Sequence, residues 1–166
     1  YEEGEARVCN AMKIGYPRFF IHPLVTALRA RYKSQAKDSE TLWVFPTLHV
    51  AEECIAYVGN GRVQTTNDGV ALAFVPNDRD ARAKEFWQHS GLYVSSRQAE
   101  NILSDKNPAP AAALQSLKQL VTEYWGGKID DVFLAPTGMG AIFTAYKIVT
   151  SQGGSKTVQL GFPYLD

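Results

Sequence analysis

The sequence is poor in cysteine and has no motif typical of a metal centre. Its two cysteines, Cys9 and Cys54, do not form a CxxC pair. We interpret them as reduced thiols of an intracellular protein, with a single disulfide between them as the alternative. The three histidines do not fall at metal-ligand spacing, and no HExxH motif or Cys/His cluster is present. The sequence therefore does not predict a structural zinc site.

The chain also lacks a charge excess and a long hydrophobic run. It has 17 basic and 17 acidic residues, so its formal net charge is zero. This balance argues against a general nucleic-acid or anionic-membrane binder, which normally carries a basic excess. No apolar run approaches the roughly 20 residues that span a bilayer. The first residues, "YEEGEARVCN", are polar and acidic, unlike a secretory signal. We therefore expect a cytoplasmic protein without nucleic-acid or membrane partners.

The first half of the chain has the pattern of a small α/β unit. Pro23 suits the first position of a helix, and "LWVF" at residues 42–45 is typical of a short buried strand. Thr47 can cap the following helix. Residues 59–69 predict a loop or hairpin, and "VALAFVP" at residues 70–76 predicts a second apolar strand.

Helices dominate the middle of the chain. Residues 77–91 predict a helix that stops at Gly91, and Ser95 can cap another helix that runs to residue 103. Two prolines in "SDKNPAPAA" break the pattern before a long amphipathic helix. One face of that helix carries Leu114, Leu117, Val121, Tyr124 and Trp125.

The last third predicts a β-α-β unit. "DVFLAP" at residues 131–136 is strand-like, residues 140–151 are helix-like, and residues 153–163 end in another strand. Such a unit implies parallel strands and a right-handed crossover, with any ligand at the carboxyl ends of the strands. Two or three parallel strands alone would leave both sheet edges open. We therefore expect the chain to be part of a larger domain.

Between the first of these strands and the helix lies a run of small residues, Thr137-Gly138-Met139-Gly140. Free backbone N–H groups and the positive end of the helix dipole can bind a phosphate there, and glycine lets the anion come close. The run is not a P-loop, because no GKS or GKT follows. It is not a GxGxxG motif either, because Phe143 stands at the third glycine position. A plain tight turn is the alternative interpretation.

The segment "DVFLAPTGMGAIFTAYK" resembles the cofactor-phosphate loop of the Cys/Met-metabolism branch of pyridoxal-phosphate (PLP) enzymes. It looks most like the cystathionine γ-synthase group. "YPRFFIHP", "AKEFWQHSGLYVSSRQAE" and "GFPYLD" are similar to the N-terminal half of fungal cystathionine γ-synthase-like proteins. The resemblance implies an α/β fold in which an α/β extension over residues 1–91 precedes the start of a PLP-binding domain over residues 92–166. That domain would be a fold type I, aspartate aminotransferase-like transferase with a mainly parallel sheet.

The resemblance also implies a set of cofactor-binding residues. The backbone N–H groups of Gly138 and Met139 would hold the phosphate of PLP, and Tyr164 would stack on its pyridine ring. Arg97 would reach the cofactor phosphate of a neighbouring subunit. Taken alone, Tyr164 would be a core or rim aromatic and Arg97 a surface arginine. Ser95 stands where better-known members have a tyrosine, and whether Tyr93 substitutes for that tyrosine stays open.

No catalytic residue is predicted in this chain, because the lysine that forms the Schiff base is missing. Lys156, in Ser155-Lys156-Thr157, precedes a predicted strand and lacks the family's lysine setting. The chain alone is therefore expected to be inactive. It could be one portion of a split enzyme, a truncated piece of a whole enzyme, or a non-catalytic interaction subunit.

The whole enzyme implied by the resemblance would catalyse γ-replacement on an O-acyl-L-homoserine. The amino acid would lose its α and β protons, expel the γ-acyloxy group and accept cysteine or a carbon nucleophile. The expected partners are a C-terminal portion or second chain that carries the lysine, a small-molecule amino-acid substrate, and further copies in a homo-oligomer. Family behaviour suggests a tetramer of paired dimers.

Overall fold

The computed structural model of the chain describes residues 5–12, 20–106, 111–153, 156–158 and 160–161. The helices are α1 (Ala6–Ala11), α2 (Pro23–Arg31), α3 (Leu48–Val58), α4 (Asp80–Ser90), α5 (Ser96–Leu103), α6 (Ala111–Trp125) and α7 (Gly138–Ser151). The strands are β1 (Glu40–Phe45), β2 (Arg62–Thr65) and β3 (Ala71–Pro76). Short 3₁₀ turns lie at Lys33–Gln35, Asn77–Arg79 and Ile129–Asp131. The mixed α/β character predicted from the sequence is confirmed.

The three strands form one antiparallel sheet in the order β1-β3-β2. Thr41 lies opposite Val75, and Val63 lies opposite Ala73. β2 and β3 form the hairpin that was one of two interpretations of residues 59–69. Both strand pairs are antiparallel, and they lie in residues 40–76, within the predicted N-terminal extension. The described residues of 92–166 do not form the mainly parallel sheet predicted there, because none of them is in a strand.

The predicted strand at residues 131–136 does not form. Residues 129–131 make a 3₁₀ turn, Val132 is extended, and residues 132–136 are in neither a helix nor a strand. The described residues of the second predicted strand, 156–158, 160 and 161, are also not in a strand. A strand needs a neighbour for its backbone N–H and C=O groups. The described part of the chain offers neither segment a neighbouring strand.

The central strand β3 is apolar throughout because helices cover both faces of the sheet. Ala71, Ala73 and Val75 point to one face, while Leu72 and Phe74 point to the other. α3 and α4 pack on the first face, and α2 and α5 pack on the second. Successive side chains of a strand point to opposite faces of the sheet. A strand that is buried on both faces therefore has apolar residues at every position.

Capping residues set the ends of these helices as the sequence predicts. Thr47 accepts the N–H of Val50 at 3.3 Å, and Ser95 accepts the N–H of Gln98 at 3.1 Å. His22 caps α2 through its Nδ1, which accepts the N–H of Leu24 at 3.2 Å. Glycine in the left-handed conformation ends α4 at Gly91.

The helices α6 and α7 differ from the rest because much of their apolar surface is exposed. The predicted amphipathic helix α6 is confirmed as a helix, but Trp125 is 83% exposed. Apolar side chains are also exposed at Leu114, Leu117, Leu120, Tyr124, Phe133, Ile142, Tyr146, Ile148 and Val149. The predicted boundary between residues 91 and 92 stays a prediction.

Candidate functional site

The first turn of α7 is capped by the side chain of Thr137. Its Oγ1 accepts the N–H of Gly140 at 2.9 Å, and its carbonyl accepts the N–H of Ala141 at 3.0 Å. The first N–H groups of a helix have no acceptor within the helix, and this cap satisfies only the third of them. The N–H groups of Gly138 and Met139 find no acceptor among the described residues. The sequence therefore leaves two donors free at the helix start.

The two glycines of this turn have different surroundings. A Cβ built on Gly138 would meet nothing within 4 Å, so the space beside it is open. A Cβ on Gly140 would lie 3.0 Å from Cδ2 of Leu92 and 3.3 Å from the carbonyl oxygen of Gly91. Gly138 thus keeps the outer side of the turn accessible, while Gly140 lets the helix pack closely against the chain after α4.

This geometry fits an anionic group such as a phosphate. Two free N–H donors, the positive end of a 14-residue helix and the absence of a side chain at Gly138 act together at one point. The turn can bind and orient a phosphate, but it offers no acid or base of its own. Its chemistry therefore suits binding and not acid-base catalysis.

The same turn is attached to the end of α4 by a hydrogen bond that the sequence did not predict. Oγ1 of Thr137 donates to the carbonyl oxygen of Gly91 at 2.8 Å. Gly91 has a φ of +66°, and a Cβ there would lie 2.6 Å from Oγ1 of Thr137. Sequence reasoning used Gly91 only as a helix stop. Its partner lies 46 residues away along the chain, and no local pattern connects the two.

Further along, α7 contacts both α3 and α4. The ring of Phe143 meets the ring of Phe86 edge-on, at 6.3 Å between centroids. Lys147 forms an ion pair with Glu53 of α3. A cavity of about 460 Å³ lies between these three helices, lined by Glu53, Ala56, Tyr57, Glu85, Phe86, His89, Ser90, Phe143 and Lys147. The hydroxyl of Tyr57 is hydrogen-bonded to the Glu85 carboxylate, and this bond raises the pKa of Tyr57 because it favours the protonated phenol.

Three further residues from the sequence analysis lie in α5 or just before it. Arg97 is exposed near the start of α5, and no hydrogen bond or ion pair joins it to Gly138 or Met139. Ser95 serves as the cap of α5, while Tyr93 is buried with its ring 5.1 Å from that of Trp87. The roles predicted for Gly138, Met139 and Arg97 stay predictions.

Two of the predicted or considered positions lie at the end of the chain. Tyr164 falls outside the described residues, so its predicted stacking role also stays a prediction. Lys156 is exposed, in a segment that forms neither helix nor strand.

Within the described ranges, no group of three or more His, Cys, Asp or Glu side chains could hold a metal ion. None of the helices in that part of the chain is long and apolar enough to cross a bilayer. Cys54 is a buried free thiol, and its burial raises its pKa to about 12.

Two curated Saccharomyces cerevisiae proteins match about three fifths of the chain. One, named as a candidate cystathionine gamma-synthase, is 32% identical over 129 residues, which are 63% of this chain and 20% of that protein. Another, named cystathionine gamma-synthase, is 30% identical over 131 residues, again 63% of this chain and 20% of that protein. The chain spans about a fifth of the length of these relatives.

A bacterial relative matches over the whole chain. It is the L-2-amino-4-chloropent-4-enoate dechlorinase/desaturase of Streptantibioticus cattleyicolor, 29% identical over 100% of this chain and 37% of that protein. No solved structure matches the chain.

A family model described as the N-terminal domain of fungal trans-sulfuration enzymes matches residues 20–95. These residues contain the whole sheet and the helices α2, α3 and α4. They also end at Ser95, just past the Gly91 to which the first turn of α7 is bonded. The resemblance of the chain to cystathionine γ-synthase-like proteins is therefore confirmed, with residues 20–95 matching the N-terminal domain of fungal trans-sulfuration enzymes.

Proposed function

We propose that the chain is part of a PLP-dependent cystathionine γ-synthase-like enzyme that catalyses γ-replacement on an O-acyl-L-homoserine. The nucleophile would be cysteine or a carbon nucleophile. The observation that carries this proposal is the start of α7, where Gly138 and Met139 present two free N–H groups in open space. The match of residues 20–95 to a trans-sulfuration enzyme domain supports the choice of PLP among phosphate ligands.

In this enzyme the described residues bind and orient the cofactor. The N–H groups of Gly138 and Met139 hold the phosphate, and Thr137 keeps their helix turn in place. When bound, PLP supplies the electron sink that stabilises negative charge on the substrate's α carbon. We propose that Tyr164 stacks on the cofactor ring and that Arg97 contributes to the phosphate site of a neighbouring subunit.

We further propose that the lysine comes from a C-terminal portion or a second chain, which packs on α6 and α7 in a homo-oligomer. The exposed apolar side chains of these helices support this, because monomeric proteins rarely leave large contiguous apolar patches uncovered. The relatives extend well beyond the matched region, and the chain spans about a fifth of their length. A C-terminal portion or second chain packed on α6 and α7 would complete both the hydrophobic core and the active site.

The proposal is tested by titrating the complete protein, partner chains included, with PLP and recording the visible absorbance of bound cofactor. Saturable binding and turnover of an O-acyl-L-homoserine with cysteine or a carbon nucleophile are expected. A complete assembly that binds no PLP would overturn the proposal in favour of a non-catalytic interaction subunit.

A Gly138→Asp substitution tests the phosphate contact itself. Asp at the first position of a helix is favourable for the helix, so the fold should persist while the carboxylate repels the phosphate. We expect at least about a tenfold loss of PLP affinity, equivalent to about 1.4 kcal/mol. Gly138→Asn is the matched control, because it adds a side chain of the same size at the same position without the negative charge. Equal affinity in the two variants would exclude Gly138 from the site.

A second candidate reaction is elimination at a halogenated amino acid. It is favoured by the relative named as a dechlorinase/desaturase, whose match covers the whole chain. Chloride would then leave in place of an acyloxy group, with no nucleophile added. Offering the enzyme an O-acyl-L-homoserine and a γ-chloro amino acid in parallel, and identifying the products, separates the two reactions.

A further inference from the structure

We propose that residues 20–95 act as a positioning element for the cofactor phosphate, through a direct bond between Gly91 and Thr137. The inference rests on the proposed function, because it concerns the same helix start. It assigns a role to the N-terminal domain that the family match does not supply. The domain would set how firmly the first turn of α7 holds the phosphate.

The first argument is that one hydroxyl makes both bonds. Oγ1 of Thr137 donates to the Gly91 carbonyl at 2.8 Å and accepts from the Gly140 N–H at 2.9 Å. Donation to Gly91 fixes the direction of the hydroxyl hydrogen and leaves a lone pair for Gly140. The orientation of the helix cap is therefore tied to the end of α4. The free N–H groups of Gly138 and Met139 belong to the same turn.

The second argument is the absence of room at Gly91. A Cβ there would lie 2.6 Å from Oγ1 of Thr137, 2.7 Å from the N of Gly140 and 2.7 Å from Cβ of Met139. Two of these three atoms are the cap bond itself, and the third belongs to a residue that would hold the phosphate. Any side chain at Gly91 must displace the turn, so the close approach is a constraint on the site and not only on α4.

The third argument is that α7 is attached again at two points, about one and a half and two and a half turns after its start. Phe143 packs edge-on against Phe86 of α4, and Lys147 pairs with Glu53 of α3. The N-terminal domain thus holds one side of α7 at more than one point. A helix held at two levels has a fixed axis, which in turn fixes where its N-terminal dipole points.

The test compares Gly91→Ala with Gly69→Ala in the complete protein. Both glycines have a positive φ, +66° and +76°, so alanine causes similar backbone strain at both. A Cβ at Gly69 meets nothing within 4 Å, so that variant leaves α7 untouched. We expect Gly91→Ala to raise the dissociation constant of PLP by about 5- to 30-fold, and Gly69→Ala to change it less than about twofold.

Pyridoxal, which lacks the phosphate, separates positioning from a general loss of structure. Gly91→Ala should weaken PLP binding much more than pyridoxal binding, since only PLP uses the helix start. Equal weakening of both ligands, or equal PLP affinity in Gly91→Ala and Gly69→Ala, would overturn the inference. If the unsubstituted protein binds no PLP, the proposed function fails first and the inference with it.

A second pair of variants decides the matter if Gly91→Ala does not fold. Thr137→Ser keeps the hydroxyl that donates to Gly91, whereas Thr137→Val keeps the shape and removes it. We expect PLP affinity within about twofold of the unsubstituted protein for Thr137→Ser, and a loss of about 5- to 30-fold for Thr137→Val. Near-equal PLP affinity of the serine and valine variants would overturn the inference.

Discussion

The region from α2 to α5 buries its apolar side chains, whereas the region from α6 to α7 leaves many of its own exposed. In the first, helices cover both faces of the sheet, and Phe45 has no exposed surface. In the second, apolar side chains of comparable size face outward, and Phe133 is 87% exposed. The first region supplies its own hydrophobic core, whereas the second has the composition of a core without the layer that would close it.

The largest difference between the two regions is expected when phenylalanine is replaced by alanine once in each region. Phe45→Ala should lower the free energy of unfolding by about 3–5 kcal/mol, because it removes a fully buried ring and leaves a cavity. Phe133→Ala should change it by no more than about 0.5 kcal/mol in the chain alone. Urea unfolding followed by circular dichroism measures both. Similar losses in the two variants would contradict the difference between the regions.

A smaller effect is expected at a polar contact inside the first region. Nε1 of Trp43 donates to Oδ1 of Asp80 at 2.8 Å, linking β1 to the start of α4. Asp80→Ala leaves that indole N–H without an acceptor and should cost about 1–3 kcal/mol. Asp78→Ala, two residues earlier on an exposed turn, is the matched control and should be nearly neutral. A neutral Asp80→Ala in the same urea experiment would show that the bond is not needed.

An ion pair at one end of the sheet, between Glu40 of β1 and Arg62 of β2, makes the stability of the first region depend on pH. The hydrogen bond from Arg62, followed by that from the Lys37 N–H, lowers the pKa of Glu40 from 4.5 to about 2. A carboxyl group with a lowered pKa in the folded state stabilises the fold above its unfolded pKa. That contribution is lost as the pH falls from about 4.5 through about 2. Stability measured across this window should fall less steeply in Arg62→Gln than in the unsubstituted chain.

The control for this pH effect is Glu40→Gln, which removes the titrating group. Adding Arg62→Gln to Glu40→Gln should leave the slope of stability against pH unchanged. A further change in slope would mean that another carboxyl group responds to Arg62.

The smallest effect is expected for the ion pair that joins the two regions. Lys147 and Glu53 pair at the surface, with side-chain exposures of 45% and 18%, and His49 also lies 3.3 Å from Glu53. Exposed ion pairs contribute about 0.2–1 kcal/mol. A double-mutant cycle of Lys147→Gln and Glu53→Gln should give a coupling energy in that range. A coupling of several kcal/mol would make this pair, and not the Gly91 bond, the main attachment of α7.

The first region could be predicted well from the sequence because its signals are local. Pro23, Thr47 and Gly91 mark helix ends through their own backbone and side-chain chemistry. The strand "VALAFVP" is apolar along its whole length because both faces are buried. The direction of strand pairing is not a local property, and the antiparallel β1-β3 pair could not be read from either strand alone.

The second region shows where local reasoning fails. Residues 131–136 have the apolar composition of a strand, but a strand forms only with a neighbour, and the described residues provide none. The glycines of the candidate site were visible in the sequence, and so was the helix that follows them. The bond from Thr137 to Gly91 was not, because it spans 46 residues and depends on how α4 and α7 pack.

Gly91 and Thr137 also limit how the domain can be exchanged between proteins. A chimera that grafts residues 20–95 onto a different protein carries the carbonyl of Gly91 but not the hydroxyl that meets it. Such a graft needs a threonine or a serine in the recipient helix, at the position equivalent to Thr137. The interchangeable module is therefore the domain together with the first turn of a helix that lies outside it in the sequence.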